Sequence, residues 1–349
     1  MGFETLLKKK RLIVVCGLGG VGKTTLSAAL AFKAAKMGKK SLVITVDPAK
    51  RLANALGLTL PCPEPKLVWR DAGGSLHACL LDAKHTFDQL IEQYAPQKLR
   101  ATILDNKLYQ QLSLMLAGTQ EYMAMEKLYA LSAEEKFDTL IVDTPPARHA
   151  VDFLRAPMKL TNMLNESLLK VLVAPSLKIG SFGSKLLGSL SRLTGGGILE
   201  DISHLMSLSI NLLDGFAERS QNIQALLMGK ECAFVLATSA NNATMSDALH
   251  FRQELFHLGF SLEGVLVNRM PRSFGTLSEI KQSLAWAKDQ NDALMKQAAL
   301  LLEQHQNLER HVQKKMKPLL KDLPHHALVP EMSRGISNFD DLKNLIAYL

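Results

Sequence analysis

One stretch constrains this chain more than any other: residues 14–25, VVCGLGGVGKTT. An apolar strand runs into a glycine turn that satisfies G-x-x-x-x-G-K-[ST], and an alanine-rich helical stretch, KTTLSAALAFKAAKMGKK, follows at once. Glycines let backbone N–H groups curl around phosphate oxygens without obstruction from Cβ. Gly19, Gly20, Val21, Gly22, Lys23, Thr24 and Thr25 are therefore the expected phosphate cradle. Lys23 is expected to reach the β- and γ-phosphates, and Thr24 to place its hydroxyl on Mg²⁺. Thr25 lies in the first turn of the helix, whose positive end faces an anion.

The rest of the chain repeats the strand-then-helix pattern. Apolar runs recur at 11–17, 41–47, 76–82, 138–144, 232–239 and 262–268, several of them apolar almost throughout. Such runs suit parallel strands covered on both faces, so the expected fold is α/β, a doubly wound and mostly parallel sheet. Segments 83–137 and 151–230 read as helical instead and are expected to form an inserted helical subdomain in one phosphate-loop domain spanning 1–349. The second segment is leucine-rich and broken by glycines at 180, 183, 188 and 195–197. Its apolar face suits packing on the sheet and suits a hydrophobic protein client equally, because amphipathicity alone does not name the partner. Met158, Met163 and Met206 add adaptable apolar surface there, and core packing is their commoner role.

Two aspartates close strands at the end where a parallel sheet opens its ligand crevice. Asp143, after LIV, is placed to hold a Mg²⁺-bound water. Asp47, after LVITV, is a candidate for positioning an attacking water, with capping of the helix that begins near Pro48 as the alternative.

Composition removes several classes. With 47% hydrophobic and 21% charged residues the chain has ample core material. A net charge of +8 is spread over both halves, and only 6% of residues are aromatic, so no nucleic-acid partner is expected. The run Lys8-Lys9-Lys10-Arg11 reads as a solvated edge before the first strand. No apolar run approaches a bilayer span, and the short one at the start reads as a buried strand, so a cytoplasmic location without an integral membrane segment is expected. Cys16, Cys62, Cys79 and Cys232 form no C-x-x-C pair; Cys62, between two prolines, is the one expected to be exposed.

Taken together, the phosphate loop, DPAKRLANALG (47–57) and DTPPARHAVDFL (143–154) resemble the arsenical-pump ATPase family, which includes the targeting ATPases for tail-anchored membrane proteins. LDAKHTFDQLI, LAGTQEYMAMEKLYAL, LVNR and LVPEMSRGISNFDDL extend the resemblance over nearly the whole chain and point to the bacterial branch. The resemblance implies a Mg²⁺-dependent ATPase that works as a dimer to handle a client. It implies that Asp47 prepares the water, that Asp143 opens a segment sensing the γ-phosphate, that Asn268 reads the adenine edge, and that Pro330 and Glu331 flank the base. Without it, Asn268 would read as a turn residue before Arg269.

Two departures limit what carries over. The thiolate cluster needed for arsenic(III) is missing, as is a zinc-binding cysteine pair. The family's loop reads GKGGVGKT, with a first lysine that reaches the partner's phosphates, and here Leu18 stands in its place. Three readings follow: slow hydrolysis; substitution by Lys50, Arg51 or Arg148; or pairing with a lysine-bearing paralogue rather than with itself, which is the preferred one. A partition-type switch on a membrane or nucleoid surface and a slow-turnover regulatory subunit remain alternatives. Against the first, the C-terminal FDDLKNLIAYL has the look of a core-docking helix.

Overall fold

A computed structural model describes residues 2–46, 62–95, 97–98, 100–105, 120–146, 150–151, 153–156, 218–271, 291–332 and 338–349, with a few isolated positions. They cluster into two compact units: Met1–Leu80, Glu135–Val151 and Met228–Leu349 in one, Leu81–Glu134 and Asp152–Leu227 in the other.

The first unit is built on eight strands: β1 (Leu12–Gly17), β2 (Lys40–Thr45), β3 (Lys66–Arg70), β4 (Ser75–Leu80), β5 (Thr139–Asp143), β6 (Cys232–Ser239), β7 (Leu262–Met270) and β8 (His325–Pro330). Their order across the sheet is β3-β4-β2-β5-β1-β6-β7-β8, all parallel except β3, which runs antiparallel to β4. Every residue of β1, β5 and β6 is buried. These strands are covered on both faces, which is why they appear in the sequence as unbroken apolar runs. β1 lies between β5 and β6, so the chain moves to one side for β2 and to the other for β6 and β7. That reversal puts a ligand crevice beyond the carboxyl ends of the central strands.

The edges differ from the centre. β3 is half-exposed and carries Lys66 and Arg70 at its ends, and β8 alternates buried and exposed positions around two histidines. Neither has the continuous apolar signal of the centre. Helix α1 (Glu4–Lys9) precedes β1 and contains Lys8 and Lys9; Lys10 pairs with Glu263 and also donates to the Lys230 carbonyl. Part of the basic run is thus engaged rather than solvated.

Helix α2 (Lys23–Lys36) follows β1 and buries Leu26, Leu30 and Phe32. Phe32 meets Trp69 and Phe339 edge-on, at 5.1 and 5.6 Å between centroids. The C-terminal helix (Phe339–Ile346) is capped by Asn338 and buries Leu342 and Leu345 in the same core, and the Leu349 carbonyl accepts from the Phe3 N–H at 2.9 Å. It is a docked helix.

In the second unit, α3 (Ala83–Tyr94), capped by Asp82, packs with α4 (Arg100–Asp105) and α5 (Gln120–Ala133) around Leu90, Ile91, Ile103 and Met123. α5 ends at Ala133, and residues 135–137 are not helical, so the expected helical reach to 137 is too long. Most of 151–230, including Met158, Met163 and Met206, lies outside the described residues.

Candidate nucleotide site

The chain reverses between β1 and α2, and that turn is made of glycines for steric reasons. A Cβ on Gly17 would come within 2.1 Å of the Ala237 carbonyl, so the approach of β1 to β6 permits no side chain. Gly22, at φ +94°, caps α2 in the left-handed region and leaves the first N–H groups of the helix without a side-chain cap. Those groups and the positive end of the helix are suited to an anion. Beside Gly20 a Cβ would meet nothing within 4 Å, so the loop has open space on that side. Gly19 lies near Pro146, with 3.8 Å from a would-be Cβ to the proline's own.

Lys23 and Thr24 begin α2, and both are buried. Lys23 Nζ donates to the Leu18 carbonyl at 2.9 Å, which lays the ammonium across the loop. Leu18 packs its own side chain partly against the hydrophobic core. Thr25, in the first turn, and Val21, with its buried side chain, complete the predicted cradle.

Asp143 ends β5 in register with Val15 of β1, two residues before the glycine turn begins. It is fully buried, and its Oδ2 accepts from Thr45 Oγ1 at 2.7 Å. Thr45 ends β2, so two neighbouring strands close on one carboxylate. The next residue, Thr144, donates its hydroxyl to the Val15 carbonyl at 2.9 Å and ties the start of that segment to β1. Asp143 and Thr45 present oxygens side by side at the ends of β5 and β2, the donor chemistry a hard cation such as Mg²⁺ prefers, and Thr24 adds a hydroxyl at the start of α2.

On the other flank, Asn268 lies within β7 opposite Ser239. Its Nδ2 donates to the Val21 carbonyl at 2.9 Å, so β7 touches the phosphate loop directly. Pro330 ends β8 in register with Met270, and the Glu331 N–H donates to the Met270 carbonyl at 2.9 Å. Pro330 and Glu331 therefore lie against Met270, at the end of β7 that carries Asn268. Asp47, Lys50, Arg51 and Arg148 lie outside the described residues.

Sequence reasoning missed two participants. Thr45 carried no signal, because a threonine in an apolar strand is ordinary. The Leu18 carbonyl is a backbone group and has no sequence signature. Cys62 is also corrected: it is buried, its carbonyl accepts from the Leu80 N–H at 2.8 Å, and burial raises its thiol pKa. Burial likewise pushes Cys16, beneath the loop, up to about 12. All four cysteines are buried and none is in a disulfide, so none offers a ready thiolate. Among the described residues no helix is long and apolar enough to cross a membrane.

The profile of the family described as anion-transporting ATPase matches residues 10–299. ATPase get3 of Aspergillus terreus is similar, at 26% identity over 266 residues that cover 75% of this chain and 74% of the relative. The family match runs from before β1 into the long helix after β7 and takes in the glycine turn, Asp143 and Asn268. The chain belongs to the anion-transporting ATPase family, and it is an ATPase.

Proposed function

We propose that this chain is a Mg²⁺-dependent switch that pairs with a second subunit, and that its nucleotide state controls the handling of a client. The observation that carries the reading is the convergence of Lys23, Thr24, Asp143 and Asn268 around one glycine turn at the carboxyl ends of β1, β5 and β7. Within it, the backbone N–H groups of residues 19–25 hold the phosphates. Lys23 exchanges the Leu18 carbonyl for phosphate oxygens. Thr24 offers its hydroxyl to the metal, and Asp143, oriented by Thr45, holds a metal-bound water. Mg²⁺ held by Thr24 and Asp143 would supply positive charge against the phosphates. Asp47 aligns the attacking water, an assignment that rests on its place after the second strand's sequence and on the family resemblance.

We further propose that 83–134 and 151–230 act as one helical subdomain that meets the client or the partner. The relative's name says only that it is an ATPase, so the client's identity does not follow from it. Leu18 favours pairing with a lysine-bearing paralogue over self-pairing, because an apolar side chain packed on the core supplies no cation to a neighbour. A cytoplasmic location is part of the proposal.

Phosphate release from ATP by the purified chain tests the site. Turnover is expected to need Mg²⁺ and to fall at least about a hundredfold in Lys23→Ala, since the lysine acts on transferring phosphoryl. Turnover in Lys23→Ala equal to wild type would overturn the assignment. Sedimentation with ATP, and with ADP, tests pairing: a mass independent of nucleotide, alone and with a paralogue, removes the switch.

A further inference from the structure

The corner at Asn268 does more than border the site. Its carboxamide is fully oriented by two partners whose roles are unambiguous. Nδ2 donates to the Val21 carbonyl at 2.9 Å, and Oδ1 accepts from the Arg269 N–H at 2.9 Å. A carbonyl can only accept and an amide N–H can only donate, so the side chain fits in one orientation. Its backbone is held as well: the Asn268 carbonyl accepts from the Ala240 N–H at 3.1 Å, just past the end of β6.

The chain is bent to make this possible. Arg269 takes φ +55°, the left-handed region, although it is not glycine. The pairing of β7 with β8 is interrupted at the same place, between Val267 and Met270. Such strain persists only where surrounding contacts over-determine it, and it concentrates at functional sites. On the opposite side, a Cβ added to Gly22 would lie 2.4 Å from Asn268 Nδ2. The asparagine thus occupies the space that a side chain at Gly22 would need.

We infer that Asn268 is a positioning residue that clamps the phosphate loop in its phosphate-holding shape. The inference rests on the proposal that residues 19–25 cradle the phosphates. The physics is that of a trans peptide, whose C=O and N–H point in opposite directions. Anchoring the Val21 carbonyl on Asn268 turns the Gly22 N–H away from Asn268, toward the other side of the loop. One contact, 247 residues apart in sequence, therefore sets the direction of a phosphate-facing donor. The carboxamide still has a second N–H and a second lone pair, so a base edge uses only its remaining capacity. Base and phosphates then depend on the same side chain.

Binding of a phosphate chain without a base separates this from base reading. The probe is inorganic tripolyphosphate with Mg²⁺, compared with ATP by calorimetry on wild type, Asn268→Ala and Asn268→Asp. The clamp predicts that Asn268→Ala weakens tripolyphosphate by about five- to tenfold, the worth of one net hydrogen bond, with ATP weakened at least as much. Asn268→Asp keeps the acceptor for Arg269 but sets a carboxylate oxygen against the Val21 carbonyl, and is expected to lose at least as much as alanine. Tripolyphosphate affinity unchanged in both variants while ATP weakens would overturn the clamp and leave a base reader.

Amide exchange in the nucleotide-free chain gives a second readout. Asn268→Ala is expected to speed exchange in 17–23 and to leave 232–236 unchanged; equal protection in 17–23 contradicts the clamp. The Lys23→Ala variant distinguishes the two failures. If it binds tripolyphosphate like wild type, the loop is not the phosphate site and both readings fall. If it loses binding while Asn268→Ala does not, only the clamp fails.

Discussion

Lys23 Nζ donates to the carbonyl oxygen of Leu18 across the phosphate loop, at 2.9 Å. The acceptor is a backbone group, so it survives any substitution at position 18, while the leucine side chain packs partly on the core. Anchoring Lys23 and supplying a second cation are therefore separable properties of the same residue. Leu18→Lys is expected to leave ATP affinity within about threefold of wild type. It restores an ammonium able to reach a neighbouring subunit, and turnover of the chain paired with itself is expected to rise at least about tenfold, well within the effect of a cation supplied in trans. Phosphate release measured against protein concentration is the check. Unchanged turnover at concentrations where the variant self-pairs would show that the missing lysine is not what limits the reaction.

Asp47→Asn addresses the step after binding. An asparagine keeps the size of the side chain but cannot take a proton or hold the water as a carboxylate does. Turnover is expected to drop at least about a hundredfold while the Kd for ATP stays within about threefold. A variant that keeps both binding and turnover would instead favour the helix-capping role for Asp47, which asparagine fills as well as aspartate.

What the sequence made legible follows burial. β1, β2, β5, β6 and β7 are central and covered on both faces, so their apolar runs announced them. β3 and β8 are the two edges; KLVWR is charged at both ends, and HHALVP alternates and finishes on proline, so neither stood out. Lys23, Thr24 and Asp143 were legible because each type is fixed by chemistry at a strand or helix terminus. The tie from Asn268 to Val21 was not, because a carbonyl is anonymous in sequence and the loop and strand involved are far apart in the chain. Cys62 misled because two flanking prolines suggest an open loop, whereas its sulfur lies 3.6 Å from the Ala78 carbonyl of β4.

The helical unit contains a buried ion pair with a testable cost. Arg219 Nε donates to both carboxylate oxygens of Glu126 at 3.0 Å; Tyr122 also donates to Glu126, and the guanidinium stacks 4.2 Å from the Tyr94 ring. Burial raises the Glu126 pKa, and Arg219 opposes the rise. Arg219→Met leaves a buried carboxyl without its cation and is expected to destabilise this unit by about 3 kcal/mol or more. Adding Glu126→Leu should recover most of that loss, because an apolar pair of similar volume carries no desolvation cost. Urea unfolding followed by exchange in 120–133 measures both, and additive losses in the double variant would contradict the account.

His77 gives the sheet an acid-side weakness. It lies on β4, almost buried and edge-on to Phe137, with ring centroids 5.1 Å apart. Burial lowers its pKa below 6.5, and the charges of Lys40 and Arg70 push the same way. The folded chain therefore holds His77 neutral at pH values where the unfolded chain already protonates it. Its contribution is fully present above the unfolded pKa and declines as pH falls through about 6.5 toward the lower folded value. Wild type is expected to lose stability between pH 7 and pH 5, and His77→Gln to show a smaller loss over that interval. The check is the urea midpoint of the first unit at the two pH values, read by exchange in 139–143. An undiminished pH slope in His77→Gln would assign the acid sensitivity to other groups.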